Sequence, residues 1–281
     1  MPKLIQNPGQ LSRAPIVPAG TTITDLCHFE LHLLAKGEIA TCRVPGYELI
    51  AVVLSGQADI FVGETKFSRV GGRPDIWSGK ADSVYAGTTQ TITLVGVADL
   101  TEIAVAGGKC EDDHSPFRIS PESVDVVEVG SAETHSRRRI FHILGQHRSG
   151  TTGNLLVSEL YADPGCWSGY PPHKHDTESA PDETDFQEVY HYRFAPDSGF
   201  GTQHCYGPGL ESLSVRTRHR DTFLVDRGYH PTSTAPGHAG YIFTILVGRH
   251  QRSLIQFFEP EHRHLMSAIP GIQQMRDKFR C

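Results

Sequence analysis

The chain has 281 residues, enough for one large or two medium domains, and its 26 basic against 32 acidic side chains give a net charge of −6. The longest basic run is Arg137-Arg138-Arg139, read as a solvated strand edge with no function of its own, so a nucleic-acid partner is not expected. No window approaches the ~20 apolar residues of a membrane span and the N-terminus has no secretory pattern, so a cytoplasmic protein with no membrane partner is expected.

Short runs rich in Val, Ile, Leu, Phe, Tyr and Thr, punctuated by glycine and proline throughout, give an all-β pattern of the sandwich or barrel kind. Strands are predicted at 26–34, 49–54, 59–62, 83–86, 90–95 and 102–106, with turns at Ser55-Gly56, Gly71-Gly72 and Ala86-Gly87. A polar break from Gly107 to Pro116 reads as a crossing segment, which sets two domains, 1–110 and 111–281. Strands resume at 124–129, 139–144, 155–161, 189–194, 212–217, 222–225 and 241–247. Residues 260–281 have helix-like composition interrupted by Pro270-Gly271, predicting short helical turns. The six cysteines form no CxxC pair and read as reduced thiols, Cys166 and Cys205 as small packing residues.

The second half carries the chemistry. Residues i and i+2 of a strand face one side, so His173-x-His175 aims two imidazoles at one point. Glu188 from a neighbouring strand and His230 from Arg227-Gly228-Tyr229-His230-Pro231 complete a His3Glu set for one divalent cation. Imidazole and carboxylate suit zinc, manganese, iron, cobalt and nickel, so the metal's identity stays open. The first half repeats the second in style, with Glu48 in the place of Glu188, Gly87 in that of Gly228 and Thr89 in that of His230. It has no His-x-His before Glu48, so one metal per chain is expected. Tyr190 and Tyr192 alternate onto Glu188's face and are candidate catalytic residues, whereas His191 points the other way.

These motifs resemble the cupin superfamily. More specifically, Tyr170-Pro171-Pro172-His173-Lys174-His175-Asp176, Glu188-Val189-Tyr190-His191-Tyr192-Arg193-Phe194, Gly199-Phe200-Gly201-Thr202-Gln203 and Arg227-Gly228-Tyr229-His230-Pro231 are similar to the 5-deoxy-glucuronate isomerases of bacterial myo-inositol breakdown and their ketol-isomerase relatives of pectin breakdown. Asp226, Gln187 and His204 stand where that family would lead one to expect proline, an acidic residue and arginine.

The resemblance implies a bicupin: two tandem jelly-roll β-barrels with short C-terminal helical turns, the first barrel metal-free and the second metal-binding. It implies an aldose-ketose isomerase acting on a small sugar acid, and a homo-oligomer is expected. A uronate brings a carboxylate that a guanidinium holds best. Arg193 and Arg227 are the arginines nearest the ligands, although Arg193 is out of phase with Glu188; Lys174 at the rim and Gln203 join them as candidate substrate contacts. Two other functions fit a His3Glu centre: a cupin dioxygenase, and a non-catalytic sugar-binding cupin.

Overall fold

Residues 2–7, 9 and 14–280 are described in a computed structural model of the protein; Cys281 lies outside them. The period-two alternation of the sequence resolves into antiparallel strands in two compact units. One comprises Gly9–Asp125 with Arg148–Leu155, the other Met1–Pro8, Val126–His147 and Leu156–Cys281. This differs from a cut at 110/111 in three ways, one being that Arg148–Leu155 belongs to the first unit. Phe117–Ile119 pairs with Asp82–Ala86 and so stays with the first unit, whereas Lys3–Ile5 pairs with Thr222–Val225 in the second.

In the first unit a five-stranded sheet runs in the order Phe117–Ile119, Asp82–Ala86, Tyr47–Ser55, Leu100–Lys109, Cys27–Ala35. A four-stranded sheet runs Ile39–Cys42, Ile92–Gly96, Gln57–Val62, Thr65–Gly71. Leu49, Ala51, Val53, Ile103 and Val105 from the one pack with Ile60, Val62, Ile92 and Leu94 from the other to make the core. The strand predicted to stop at 106 continues through Gly107 and Gly108 to Lys109. The glycine is a packing device here rather than a linker, because a Cβ at Gly107 would sit 2.7 Å from Leu49 Cδ2.

Glu48 and Thr89, the counterparts of Glu188 and His230, are turned to structural use. Fully buried Glu48 accepts hydrogen bonds from the Tyr85 hydroxyl (2.7 Å) and from the Gly153 and Leu155 amides (2.8 and 2.9 Å). The Thr89 hydroxyl donates to Asp113 at 2.7 Å. Glu48→Ala removes an acceptor shared by three donors, two of them on buried residues, at about 1–3 kcal/mol for each buried bond, so thermal or urea unfolding should show a loss of about 2 kcal/mol or more. Metal content should not change.

In the second unit the sheet order is Lys3–Ile5, Thr222–Val225, Phe186–Ala195, Ala239–Gly248, Leu155–Ala162, Arg138–Leu144, Asp125–Val129. Its partner sheet runs Trp167–Ser168, Thr232–Thr234, Phe200–Cys205, Leu213–Arg218, and His173–Lys174 pairs separately with Phe257–Phe258. Tyr190, Tyr192, Phe194, Phe223 and Ile242 pack with Cys205, Leu213 and Val215 between the two sheets. Phe200–Cys205 escaped the sequence reading because its inward residues are Gly201, Gln203 and Cys205, which give no apolar alternation.

Near the C-terminus, helices Leu265–Ala268 and Ile272–Phe279 are split at Gly271, whose φ is 77° and whose Cβ would meet the Glu128 carbonyl at 2.2 Å. Ile272, Met275 and Phe279 share one helix face and bury it against Val127, Val129, Ile140 and Leu246. Among the described residues no helix is long and apolar enough to cross a membrane.

Candidate metal centre

The central strand Phe186–Ala195 positions the site. Glu188, Tyr190 and Tyr192 face the core of the second unit and the alternate residues face away. His175 and His230 meet Glu188 there: His175 Nε2 lies 3.1 Å and His230 Nε2 3.2 Å from Glu188 Oε2, and one ligand atom from each of the three residues falls within 4.8 Å of the others. His173 completes the group, with its ring centroid 5.2 Å from that of His230 and its Nε2 accepting a hydrogen bond from the Gln256 amide at 3.2 Å.

The three imidazoles share one device. Each Nδ1 donates to a backbone carbonyl: His173 to Pro171 (3.0 Å), His175 to Phe186 (3.0 Å) and His230 to Gly228 (2.7 Å). This orients each ring with its Nε2 facing inward, as outer-shell partners do for metal-bound histidines, and without a cation the His175 Nε2 donates to Glu188. His230 Nε2 is buried and makes no hydrogen bond, an orphaned donor atom that a cation would satisfy. The donor set fits a divalent metal.

The electrostatics agree with that geometry. Burial pushes His173 down to about 3, helped by the charges of its two histidine neighbours, so its ring is neutral. His175 is also penalised by burial, but its bond to Glu188 outweighs this and raises it. Burial opposes ionisation of Glu188, yet His175 and His230 together hold its carboxyl down to about 2. A carboxylate held by histidines, with no lysine or arginine bonded to it among the described residues, is what a divalent cation needs.

The centre opens into a cavity of about 50 Å³ lined by Arg138, His173, His175, Glu188, Tyr190 and Gln256, with Met275 and Phe279 from the C-terminal helix. Arg138, the middle residue of the basic triplet read as a solvated edge, is buried, because alternation along Arg138–Leu144 turns it inward with Ile140. Its guanidinium donates to the carbonyls of Ser136 (2.9 Å) and Tyr170 (2.7 Å) and has no carboxylate partner among the described residues. Burial lowers it to about 10, which leaves it charged at neutral pH.

The residues expected to touch substrate are placed differently. Arg193 is buried on the opposite face of its strand, where its Nε donates to His191 Nε2 at 3.1 Å. Arg227 is exposed beside Asp226. The Lys174 ammonium is held by Asp176 (2.6 Å) and Glu183 (2.8 Å), where it fastens the 176–183 loop. Gln203 is fully buried; its amide donates to the His204 and His230 carbonyls and its oxygen accepts from the Tyr192 hydroxyl, so both residues brace the His230 turn from below. Tyr190 lines the cavity, and Tyr192 does not appear among the cavity-lining residues. Arg138 and Gln256 were missed because neither lies near a ligand in sequence.

The family model described as the KduI/IolB family matches residues 10–265. The 5-deoxy-glucuronate isomerase of Geobacillus thermodenitrificans (strain NG80-2) is 33% identical over 249 residues, 88% of each chain, and that of Bacillus subtilis (strain 168) is 28% identical over 234 residues, 81% of this chain and 84% of its own. Among solved structures, an IolB-like protein from Salmonella typhimurium LT2 superposes with a TM-score of 0.80 at 29% identity, covering 85% of this chain and 90% of its own. An oxalate decarboxylase variant from Bacillus subtilis matches with a TM-score of 0.57 at 9% identity over 83% of this chain and 71% of its own, a likeness of fold alone. Both units are therefore cupin-like in architecture, and the chain belongs to the KduI/IolB family and is an enzyme of the isomerase class.

Proposed function

We propose that the protein is a metal-dependent aldose-ketose isomerase that converts 5-deoxy-glucuronate to 5-dehydro-2-deoxy-gluconate in the cytoplasmic breakdown of myo-inositol. The observation that carries this reading is a buried arginine, with no carboxylate partner among the described residues, lining the same cavity as His173, His175 and Glu188. The names of the relatives support the substrate class.

His173, His175, Glu188 and His230 would hold the cation. When bound, it supplies Lewis-acid polarisation of the substrate carbonyl and the neighbouring hydroxyl. Arg138 binds the carboxylate and so sets which end of the open chain faces the ligands. Burial first, then the charge of Glu188, raises the Tyr190 phenol well above its ordinary range. Tyr190 is therefore protonated at neutral pH and serves as a proton donor and relay beside the reacting carbons. The cavity, about 50 Å³, is small against a six-carbon chain, so substrate entry would need its lining side chains to move apart.

The reaction removes a proton from the carbon bearing the hydroxyl and returns one to the former aldehyde carbon. Turnover in D2O should place solvent deuterium at the new hydroxymethyl carbon, read by proton NMR of the product. Full turnover with no label would point to a direct hydrogen shift and remove Tyr190 from the chemical step.

A further inference from the structure

We propose that the first unit carries a second metal site, made of His28, Glu30, His32 and Cys42, which takes a divalent cation of the zinc type independently of the His3Glu centre. The expectation of one metal per chain rested on the missing His-x-His. It passed over His28-x-Glu30-x-His32, in which alternation along Cys27–Ala35 brings three ligand side chains to one face.

That face is the inner one, since Leu34 two residues further on packs in the core with Cys42. Cys42 ends the strand Ile39–Cys42 of the other sheet, so the cluster ties the two sheets together at a corner. His28 Nε2 and His32 Nε2 each lie 3.3 Å from a Glu30 carboxylate oxygen, and the Cys42 thiol donates to Glu30 Oε1. The donor atoms of His28, Glu30 and Cys42 all fall within 4.8 Å of one another, and the three residues are 2%, 7% and 5% exposed.

A hydrogen-bonded cluster accounts for these groups incompletely. His28 Nδ1 is buried without a hydrogen-bond partner, and among the described residues no lysine or arginine offsets the Glu30 charge. A divalent cation supplies the missing positive charge. One thiolate and one carboxylate neutralise its two charges in a low-dielectric interior, and two imidazoles complete a four-coordinate set with the softness zinc favours. Burial, then Glu30, push the Cys42 thiol far above its ordinary range, so it is an unreactive thiol without metal and releases a proton on binding one. The site is not a copy of the second unit's centre, whose counterparts here are Glu48 and Thr89. His28 Nδ1 has no carbonyl anchor, and loss of such an outer-shell partner typically costs about 10–100-fold in affinity. A chelator should therefore strip this site first.

The test is elemental analysis of the full chain after zinc loading and desalting, with cobalt substitution beside it. The wild type should hold two zinc ions per chain, Cys42→Ser and Glu30→Gln one each, and His175→Ala one. Cobalt-loaded His175→Ala should show a thiolate-to-cobalt charge-transfer band that is absent from Cys42→Ser; if Cys42→Ser does not fold, the band in the wild type serves, because the His3Glu set contains no sulfur. Wild-type protein that holds one zinc, loses it entirely in His175→Ala and gives no thiolate band would overturn the site. That result would leave the isomerase reading untouched, since the surviving ion would be the one bound by His175.

Discussion

His175→Ala should lose one metal ion per chain and with it essentially all isomerase turnover. His175 is the imidazole in hydrogen-bond contact with Glu188, and its own Nδ1 is anchored on Phe186, so alanine removes a ligand and releases the carboxylate that faces it. A bound cation lowers the barrier by several kcal/mol, and each ~1.4 kcal/mol is a factor of ten, so kcat/KM should fall by at least about 10³-fold. Circular dichroism should be nearly unchanged, because the strand pairing around Phe186–Ala195 does not involve that side chain. A variant that keeps wild-type turnover after losing the ion would separate the metal from the reaction.

The second large effect belongs to Arg138. Truncating one partner of a buried, hydrogen-bonded charge pair costs about 2–5 kcal/mol, so Arg138→Met should lower kcat/KM on a uronate by about 30-fold or more. The Ser136 and Tyr170 carbonyls also lose their donor, so some stability is lost with it. Comparison with an aldose lacking the carboxylate isolates the binding contribution: there the variant and the wild type should differ far less. Arg227→Met, altering an exposed side chain, should stay within about twofold of the wild type. If Arg227→Met is the variant that fails on the uronate and Arg138→Met is not, the pocket has been oriented wrongly.

What could be read in advance was local. His173-x-His175, Glu188 and His230 were legible because strand alternation converts spacing into facing direction, and the motif likeness supplied the pairing between distant segments. The position of Arg193 was half legible: its phase against Glu188 already pointed outward, and the structure places it with His191. Arg138 was hidden because a run of three arginines looks solvated, and burial of the middle one depends on strands far away in sequence. The same holds for Lys3–Ile5 joining Thr222–Val225 and for Met275 and Phe279 reaching the cavity. Long-range contacts leave no periodic mark. The cluster at His28 carries no paired-histidine signature at i and i+2, because a carboxylate sits between histidines at i and i+4.

The most direct measurement is an anaerobic assay of the metal-loaded protein with 5-deoxy-glucuronate, following the products by NMR. The account predicts 5-dehydro-2-deoxy-gluconate, formed without oxygen and abolished in both His175→Ala and chelator-treated protein. Turnover that requires a stoichiometric supply of oxygen, or no turnover of any uronate by fully loaded protein, would contradict it.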